Sequence, residues 1–150
     1  MIESLDPSGD QWEIRQLVER YAAAADRADG AGVAELFTED GELALWMDPT
    51  RGEPTGLRRG RAEITAAVDG IGSYLATHHT IASSVATVDG DHAEGQTRCV
   101  GHHIEGPPDV RDRVLYLKYD EQLARVDGRW RFTRREVHVQ WVSIQSVESI

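Results

Sequence analysis

Three side chains in this sequence could together perform acid–base chemistry: Asp26, His79 and His103. His79 lies in the run THHTIASSVATVDGD and His103 in the run TRCVGHHIEG, two segments that the sequence predicts to be neighbouring strands. Asp26 lies near the end of the first predicted helix. Imidazoles remove and deliver protons near neutral pH, and a carboxylate beside an imidazole fixes its orientation and tautomer. The trio therefore predicts a general acid–base site.

The position of Asp26 in the last turn of a helix is electrostatically unfavourable without a partner. A carboxylate at that point lies next to the negative end of the helix dipole. An imidazole that reaches across the helix–sheet interface would supply the compensating group. The carboxylate would in turn orient the imidazole as a base.

Two histidines and an aspartate could also bind zinc. The sequence contains no HxxxH or HExxH spacing, and the rings of His78 and His79 should point to opposite faces of a strand. We therefore predict neither a metal nor a cofactor at this site.

The element that carries Asp26 is an amphipathic helix at the start of the chain. Ser8 or Asp10 could cap it, with Gln11 or Glu13 completing a capping box, and its apolar residues recur at helical spacing to about residue 27. A short helix that carries Val33, Leu36 and Phe37 should follow, then a strand over 41–46 and a third helix over 60–72.

Long strands fill the rest of the chain. The turns DGD and DGR, each between β-prone runs, predict hairpins, and four strands result: 77–88, 93–105, 113–126 and 130–144. Helices followed by a strand meander predict an α+β fold. We expect one domain over 1–150, a cone-shaped α+β barrel in which N-terminal helices pack in a curved, mostly antiparallel sheet.

Strand alternation predicts which side chains line the interior of this cone. The inward sets are expected to be Thr77, His79, Ile81, Ser83 and Val85; Thr97, Cys99, Gly101 and His103; Leu115, Leu117, Tyr119 and Leu123; and Thr133, Arg135, Val137, Val139 and Trp141. The small residues before His103 should leave room for a ligand. An apolar wall with few polar groups is typical of a pocket for a small hydrophobic molecule.

Bulk composition excludes several other classes of function. A net charge of −10 and a pI near 5.0 repel phosphate backbones, so nucleic-acid binding is not expected. The start, MIESLDPSGD, lacks the pattern of a signal peptide, no run is apolar enough to span a membrane, and one cysteine cannot form an intramolecular disulfide. We expect a cytoplasmic protein.

Several short motifs resemble one family in their order and spacing. They are YAAAAD at 21–26, ELFTEDGEL at 35–43, GRAEI at 60–64, HTIAS at 79–83, CVGHHIEG at 99–106 and DGRWRFTRR at 127–135. The resemblance is to the SnoaL-like family of the nuclear transport factor 2-like superfamily, in the branch of scytalone dehydratase, bile-acid 7α-dehydratase and hexachlorocyclohexane dehydrochlorinase. It covers nearly the whole chain and implies the cone fold.

The resemblance also implies roles for individual residues. Asp26 and His79 match a dyad in which histidine removes a proton and aspartate orients it, and His103 matches the second histidine of scytalone dehydratase. Tyr21 matches a pocket tyrosine and Arg135 a pocket arginine of other relatives. From the residues alone, however, Tyr21 could be core and Arg135 could form a structural ion pair with an acid such as Glu121.

The sequence departs from the family pattern at two places. Ser83 stands where many relatives have asparagine, and Ala25 stands where scytalone dehydratase has a catalytic tyrosine. The substrate pose of scytalone dehydratase therefore does not transfer directly to this chain.

The implied function is a cofactor-independent lyase, of dehydratase type, that acts on a small hydrophobic cyclic, polyketide-like or steroid-like molecule. The expected catalytic residues are Asp26, His79, His103 and Tyr21, and the expected substrate-binding residues are Arg135, Tyr119, Cys99, Leu117, Trp46 and Val137. An isomerase or polyketide cyclase could use the same dyad, and a non-catalytic ligand-binding or assembly module could use the same fold. Relatives commonly form homodimers or homotrimers through the open sheet face, where outward Val100 and Tyr116 would suit such an interface.

Overall fold

Three α-helices and six strands make up the computed structural model, which describes residues 9–150. The helices are α1 (Asp10–Asp26), α2 (Gly30–Ala34) and α3 (Gly60–Asp69), with a 3-10 turn at Gly70–Ser73. The strands are β1 (Phe37–Trp46), β2 (Gly56–Arg59), β3 (Ala76–Asp89), β4 (His92–Glu105), β5 (Arg111–Val126) and β6 (Arg129–Ser146). The four predicted long strands are thus confirmed to within two residues at each end.

The strands form one sheet in the order β2-β1-β6-β5-β4-β3. Every neighbouring pair is antiparallel except β1 with β6, which is parallel. The helices pack on one face of this sheet, and the core between them is built on fully buried residues such as Val18, Ile64, Phe132 and Trp130. This arrangement confirms the predicted α+β cone with a mostly antiparallel sheet.

The start of α1 differs from the prediction. Gly9 occupies the N-cap position, and no side chain caps the helix there. The carboxylate of Asp10 instead accepts hydrogen bonds from Arg125, at 2.8 and 2.9 Å, and from the indole N–H of Trp130 at 3.0 Å. The predicted capping box on Asp10 is therefore wrong, because the β5–β6 hairpin uses this carboxylate. Ser8 lies outside the described residues.

Two boundaries and one strand also differ from the sequence prediction. Phe37 begins β1 instead of belonging to the short helix, and it is fully buried against Phe132, with ring centroids 5.3 Å apart. The third helix ends at Asp69, three residues early, and continues as the 3-10 turn. Strand β2 was not predicted from the sequence, and it pairs with β1.

A β-bulge in β3 reverses the direction of the side chains that follow it. Ile81 pairs with Cys99 but Ser83 pairs with Arg98, so Ala82 is the extra residue. A bulge inserts one residue into the alternation and flips all later positions. Val85 is consequently 71% exposed, and the predicted inward positions of Ser83 and Val85 are wrong.

Strand β6 contains two register shifts of the same kind. One of them makes Thr133 the extra residue between Phe132 and Arg134, and the other makes Gln140 the extra residue before Trp141. Trp141 therefore lies on the outer face of the sheet, 58% exposed and stacked on Tyr116 with centroids 4.4 Å apart. The predicted inward positions of Thr133 and Trp141 are wrong for this reason.

Across residues 9–150, none of the helices has both the length and the apolar content needed to cross a membrane.

Candidate active site

The side chains of Asp26 and His79 are in direct contact. Asp26 is the last residue of α1, and His79 is on the stretch of β3 that precedes the bulge, where odd-numbered residues face the helices. His79 Nδ1 lies 2.6 Å from Asp26 Oδ1. The His79 side chain is 8% exposed and that of Asp26 23%. Helix α1 and strand β3 therefore bring together the two residues that the sequence predicted as a pair.

Two further hydrogen bonds fix the Asp26 carboxylate. The backbone N–H of His79 donates to Oδ2 at 3.0 Å, and the hydroxyl of Thr77 donates to Oδ1 at 3.0 Å. Burial alone would raise the pKa of Asp26, but the hydrogen bonds from the His79 backbone and imidazole and from Thr77 outweigh it, so the pKa is lowered. Asp26 is thus an ionised, oriented acceptor for the imidazole.

His103 lies beside His79 on the neighbouring strand, β4. The two imidazole centroids are 5.2 Å apart with planes at 89°, and the ring of Tyr74 contacts His103 at a centroid distance of 5.0 Å. Burial lowers the pKa of His103, and the adjacent His79 lowers it further. His103 is therefore a neutral imidazole at neutral pH. Its Nδ1 is buried and has no hydrogen-bond partner among residues 9–150.

Gly101 provides the space in which the two imidazoles meet. It pairs directly with His79 in the β3–β4 register. A Cβ atom at this position would lie 3.0 Å from His79 Cδ2 and 3.1 Å from His103 Cε1, closer than ordinary van der Waals contact. The small residue that the sequence predicted to leave room for a ligand thus leaves room for the catalytic candidates themselves.

A cavity of about 210 Å³ opens in front of the two histidines. Its lining is mainly aliphatic, with three tyrosines and two histidines as the polar groups: Tyr21, Ala25, Leu43, Leu45, Met47, Ala67, Val68, Ile71, Tyr74, His79, His103, Leu115, Leu117, Tyr119 and Val137. None of the described residues that line it is an aspartate, glutamate, lysine or arginine. The cavity therefore suits an uncharged, largely apolar molecule.

Four of the other predicted site residues reach this cavity: Tyr21, Tyr119, Leu117 and Val137. Burial raises the pKa of the Tyr21 hydroxyl, and it raises that of Tyr119 well above its ordinary value, although nearby Arg135 opposes both shifts. Both hydroxyls therefore stay protonated and can act as hydrogen-bond donors.

Arg135 lies behind the cavity instead of lining it. Its side chain is 1% exposed and donates to Glu121 Oε1 at 2.9 and 3.1 Å. The guanidinium lies over the rings of both Tyr21 and Tyr119, 4.0 and 3.9 Å from their centroids. The ion pair with Glu121 that the sequence left as an alternative is thus present, and Arg135 can affect a ligand only through the tyrosines.

Cys99 and Trp46 also lie off the cavity lining. Cys99 is buried, and burial raises the pKa of its thiol to about 11, so it is a neutral side chain near Tyr119. Trp46 stacks on His138, with centroids 5.2 Å apart. The structure therefore does not bring these two predicted substrate-binding residues to the site.

The ring of Tyr74 contacts His103, although Tyr74 is not among the predicted site residues. Tyr74 follows the 3-10 turn, outside any strand or helix, so no periodic pattern identifies its direction. Met47, the first residue after β1, is a second lining residue of this kind. Both lie in connections whose conformation depends on the assembled fold.

One group of side chains elsewhere has metal-ligand chemistry. Asp120, Glu136 and His138, on β5 and β6, place one donor atom each within 4.8 Å of one another. Lys118 already pairs with Asp120 at 2.8 Å, and Arg134 pairs with Glu136 at 2.8 Å. Because these cations neutralise the carboxylates, the group is an ion-pair network.

Comparison with known proteins agrees with this architecture. The SnoaL-like domain model matches residues 7–136. A candidate scytalone dehydratase from Novosphingobium aromaticivorans is similar in structure, with a TM-score of 0.75 and 23% identity, over 92% of this chain and 89% of that chain.

Two further solved structures share the fold. A protein of unknown function from Mycobacterium tuberculosis has a TM-score of 0.72 and 26% identity, over 86% of this chain and 75% of that chain. A hexachlorocyclohexane dehydrochlorinase (LinA) has a TM-score of 0.75 and 14% identity, over 93% and 90%. No curated protein sequence matches the chain. Because the family model spans most of the sequence, the chain belongs to the SnoaL-like domain family.

Proposed function

We propose that this protein is a cofactor-independent lyase of dehydratase type, with His79 as general base and Asp26 as its orienting carboxylate. The observation that carries the proposal is the 2.6 Å contact between His79 Nδ1 and Asp26 Oδ1 at the wall of an apolar cavity. With Nδ1 bound to the carboxylate, Nε2 is the nitrogen that takes the proton.

The reaction removes one water from the substrate. Nε2 of His79 accepts a proton from an acidic C–H, the electron pair forms a new C=C bond, and the hydroxyl on the adjacent carbon departs. Asp26 stabilises the imidazolium that forms. The imidazolium then gives its proton to the departing hydroxide, which leaves as water and returns His79 to its neutral state.

His103 acts as a hydrogen-bond donor in this proposal. Its lowered pKa keeps the imidazole neutral, and a neutral imidazole is a hydrogen-bond donor but a weak acid. It therefore holds the departing hydroxyl while His79 moves the proton. The buried, unpartnered Nδ1 of His103 supports a ligand contact, because buried polar groups normally have a partner.

Tyr21 and Tyr119 are the donors for a carbonyl group next to the acidic C–H. Both line the cavity and both are protonated, and one preorganised donor to a developing oxyanion contributes about 3 kcal/mol. Arg135 acts as a positioning residue, since its guanidinium contacts both rings.

The cavity also restricts the substrate. Its volume of about 210 Å³ is below the roughly 300–1,000 Å³ of pockets that hold drug-sized ligands. A neutral molecule of one or two rings therefore fits better than a steroid. Two of the structural neighbours carry the names of elimination enzymes, a dehydratase and a dehydrochlorinase, which supports elimination as the reaction class.

The test is to incubate a metabolite extract with wild type and with His79→Ala and to compare the products by chromatography and mass spectrometry. A compound that only wild type converts to a product lighter by one water supports the dehydratase. A product of equal mass at a new retention time would instead indicate an isomerase or cyclase that uses the same dyad. Conversion of the same compounds by both proteins would contradict any role for His79.

A further inference from the structure

A second groove, of about 280 Å³, is lined by four arginines: Arg20, Arg27, Arg129 and Arg131. It shares no lining residue with the cavity at His79. The whole chain has a net charge of −10 and only 16 lysines and arginines. A quarter of its cationic side chains therefore border one small depression on an otherwise acidic protein.

The elements around the groove direct these side chains toward it. Arg20 is on the last two turns of α1, and Arg27 is the residue that directly follows the helix. Both border the groove. Arg129 and Arg131 alternate with Trp130 on β6 and share one face of the strand. The backbone N–H of Phe132 donates to Leu36 O at 2.9 Å, which ties β6 to the segment after α2.

Direct ion pairs within residues 9–150 neutralise few of the arginines of this groove. Within residues 9–150, Arg20, Arg129 and Arg131 form no ion pair with a carboxylate, and Arg27 reaches Asp29 only at 3.8 Å. The one carboxylate in the lining is that of Glu35. Arg131 donates to the carbonyl of Trp130 at 3.1 Å, which holds its guanidinium in place. Clustered like charges repel, and a bound anion would relieve that repulsion.

We propose that this groove binds a small soluble molecule that carries a phosphate or pyrophosphate group. Guanidinium groups donate two parallel hydrogen bonds to phosphate oxygens, and several arginines around one depression suit a compact polyanion. A phosphate on a lipid headgroup would offer the same chemistry, but the net charge of −10 is repelled by an anionic membrane surface. A free phosphorylated compound is therefore the favoured source.

The test is isothermal titration of the intact protein with sodium pyrophosphate at low salt. We expect binding of one pyrophosphate per chain, weakened about tenfold by Arg131→Gln and by Arg20→Gln, because each removes charged hydrogen bonds. The matched control is Arg98→Gln, which removes the same charge from an exposed position on β4 and should bind like wild type. Circular dichroism checks that each variant is folded.

Absence of pyrophosphate binding to wild type would overturn the proposal. Equal weakening in Arg98→Gln would also overturn it, because the effect would then be one of net charge and not of the groove. Co-sedimentation with vesicles of phosphatidylcholine and phosphatidylglycerol separates the two sources of phosphate. Vesicle binding without pyrophosphate binding would contradict the soluble ligand and indicate that the groove binds a membrane surface.

Discussion

Asp26 binds His79 twice, through the imidazole at 2.6 Å and through the backbone N–H of the same residue at 3.0 Å. The carboxylate therefore cannot rotate without losing contact with both the ring and the strand that carries it. This double contact fixes the imidazole relative to the cavity, which is the geometry that a general base requires.

Asp26→Asn should remove the charge that stabilises the imidazolium while keeping a side chain of similar shape. We expect turnover of the substrate found in the extract experiment to fall on the order of 100-fold or more. Thr77→Val is the matched control, because it removes one hydrogen bond to the same carboxylate but leaves the imidazole contact. Comparable turnover by Asp26→Asn and wild type would contradict the role of the carboxylate.

The lowered pKa of Asp26 predicts an acid-labile contribution to stability. A carboxyl group whose pKa is lower in the folded state than in the unfolded state stabilises the fold at pH values above its unfolded-state pKa. This contribution to stability is lost as the pH falls through the pKa of the folded state. Urea unfolding of wild type and Asp26→Asn should therefore differ most near neutral pH, and the two should converge as the pH falls through the range below about pH 4. A difference that stays constant over that range would show that the carboxylate charge is not involved.

Gly101→Ala should displace the two imidazoles. The new methyl group would lie about 3 Å from both rings, so each must move by a few tenths of an ångström. We expect a destabilisation of about 1–3 kcal/mol from overpacking and a fall in turnover of about tenfold or more.

Long-range proton–nitrogen NMR spectra of the His79 and His103 rings would report the displacement directly. Gly70→Ala is the control, because nothing lies within 4 Å of a Cβ atom there. Unchanged imidazole resonances in Gly101→Ala would refute the positional role of this glycine.

The buried ion pair between Glu121 and Arg135, behind the cavity, should contribute strongly to the free energy of unfolding. Glu121→Gln leaves a guanidinium that is 1% exposed without its counter-charge, and breaking a buried pair in this way costs about 3–5 kcal/mol. The double variant Glu121→Leu with Arg135→Met should lose less folding stability than Glu121→Gln, because no unpaired charge remains buried. Urea unfolding measures both, and a loss below about 1 kcal/mol for Glu121→Gln would contradict the prediction.

Much of the fold follows from local signals in the sequence. The DGD and DGR turns are hairpin motifs, and the alternation along β4 correctly assigned Cys99 and His103 to the inner face. The contact between Asp26 and His79 was also expected, because the resemblance to the SnoaL-like family implies a dyad of these two residues.

The errors have a common physical origin in the irregular parts of the fold. No residue type marks the bulges at Ala82 and Gln140, yet each reverses the strand alternation and turns Val85 or Trp141 outward. The place of Tyr74 in the cavity depends on the path of the chain after a short 3-10 turn. Local patterns identify elements well but do not determine where a strand changes register.

The most direct test of the central claim compares two adjacent histidines. His79→Ala and His78→Ala remove the same side chain from neighbouring positions of β3, one facing the cavity and one exposed to solvent. Incubated with the same extract, His78→Ala should convert the substrate as wild type does, while His79→Ala should leave it unchanged although the protein remains folded. Conversion by His79→Ala at the wild-type rate would contradict the account.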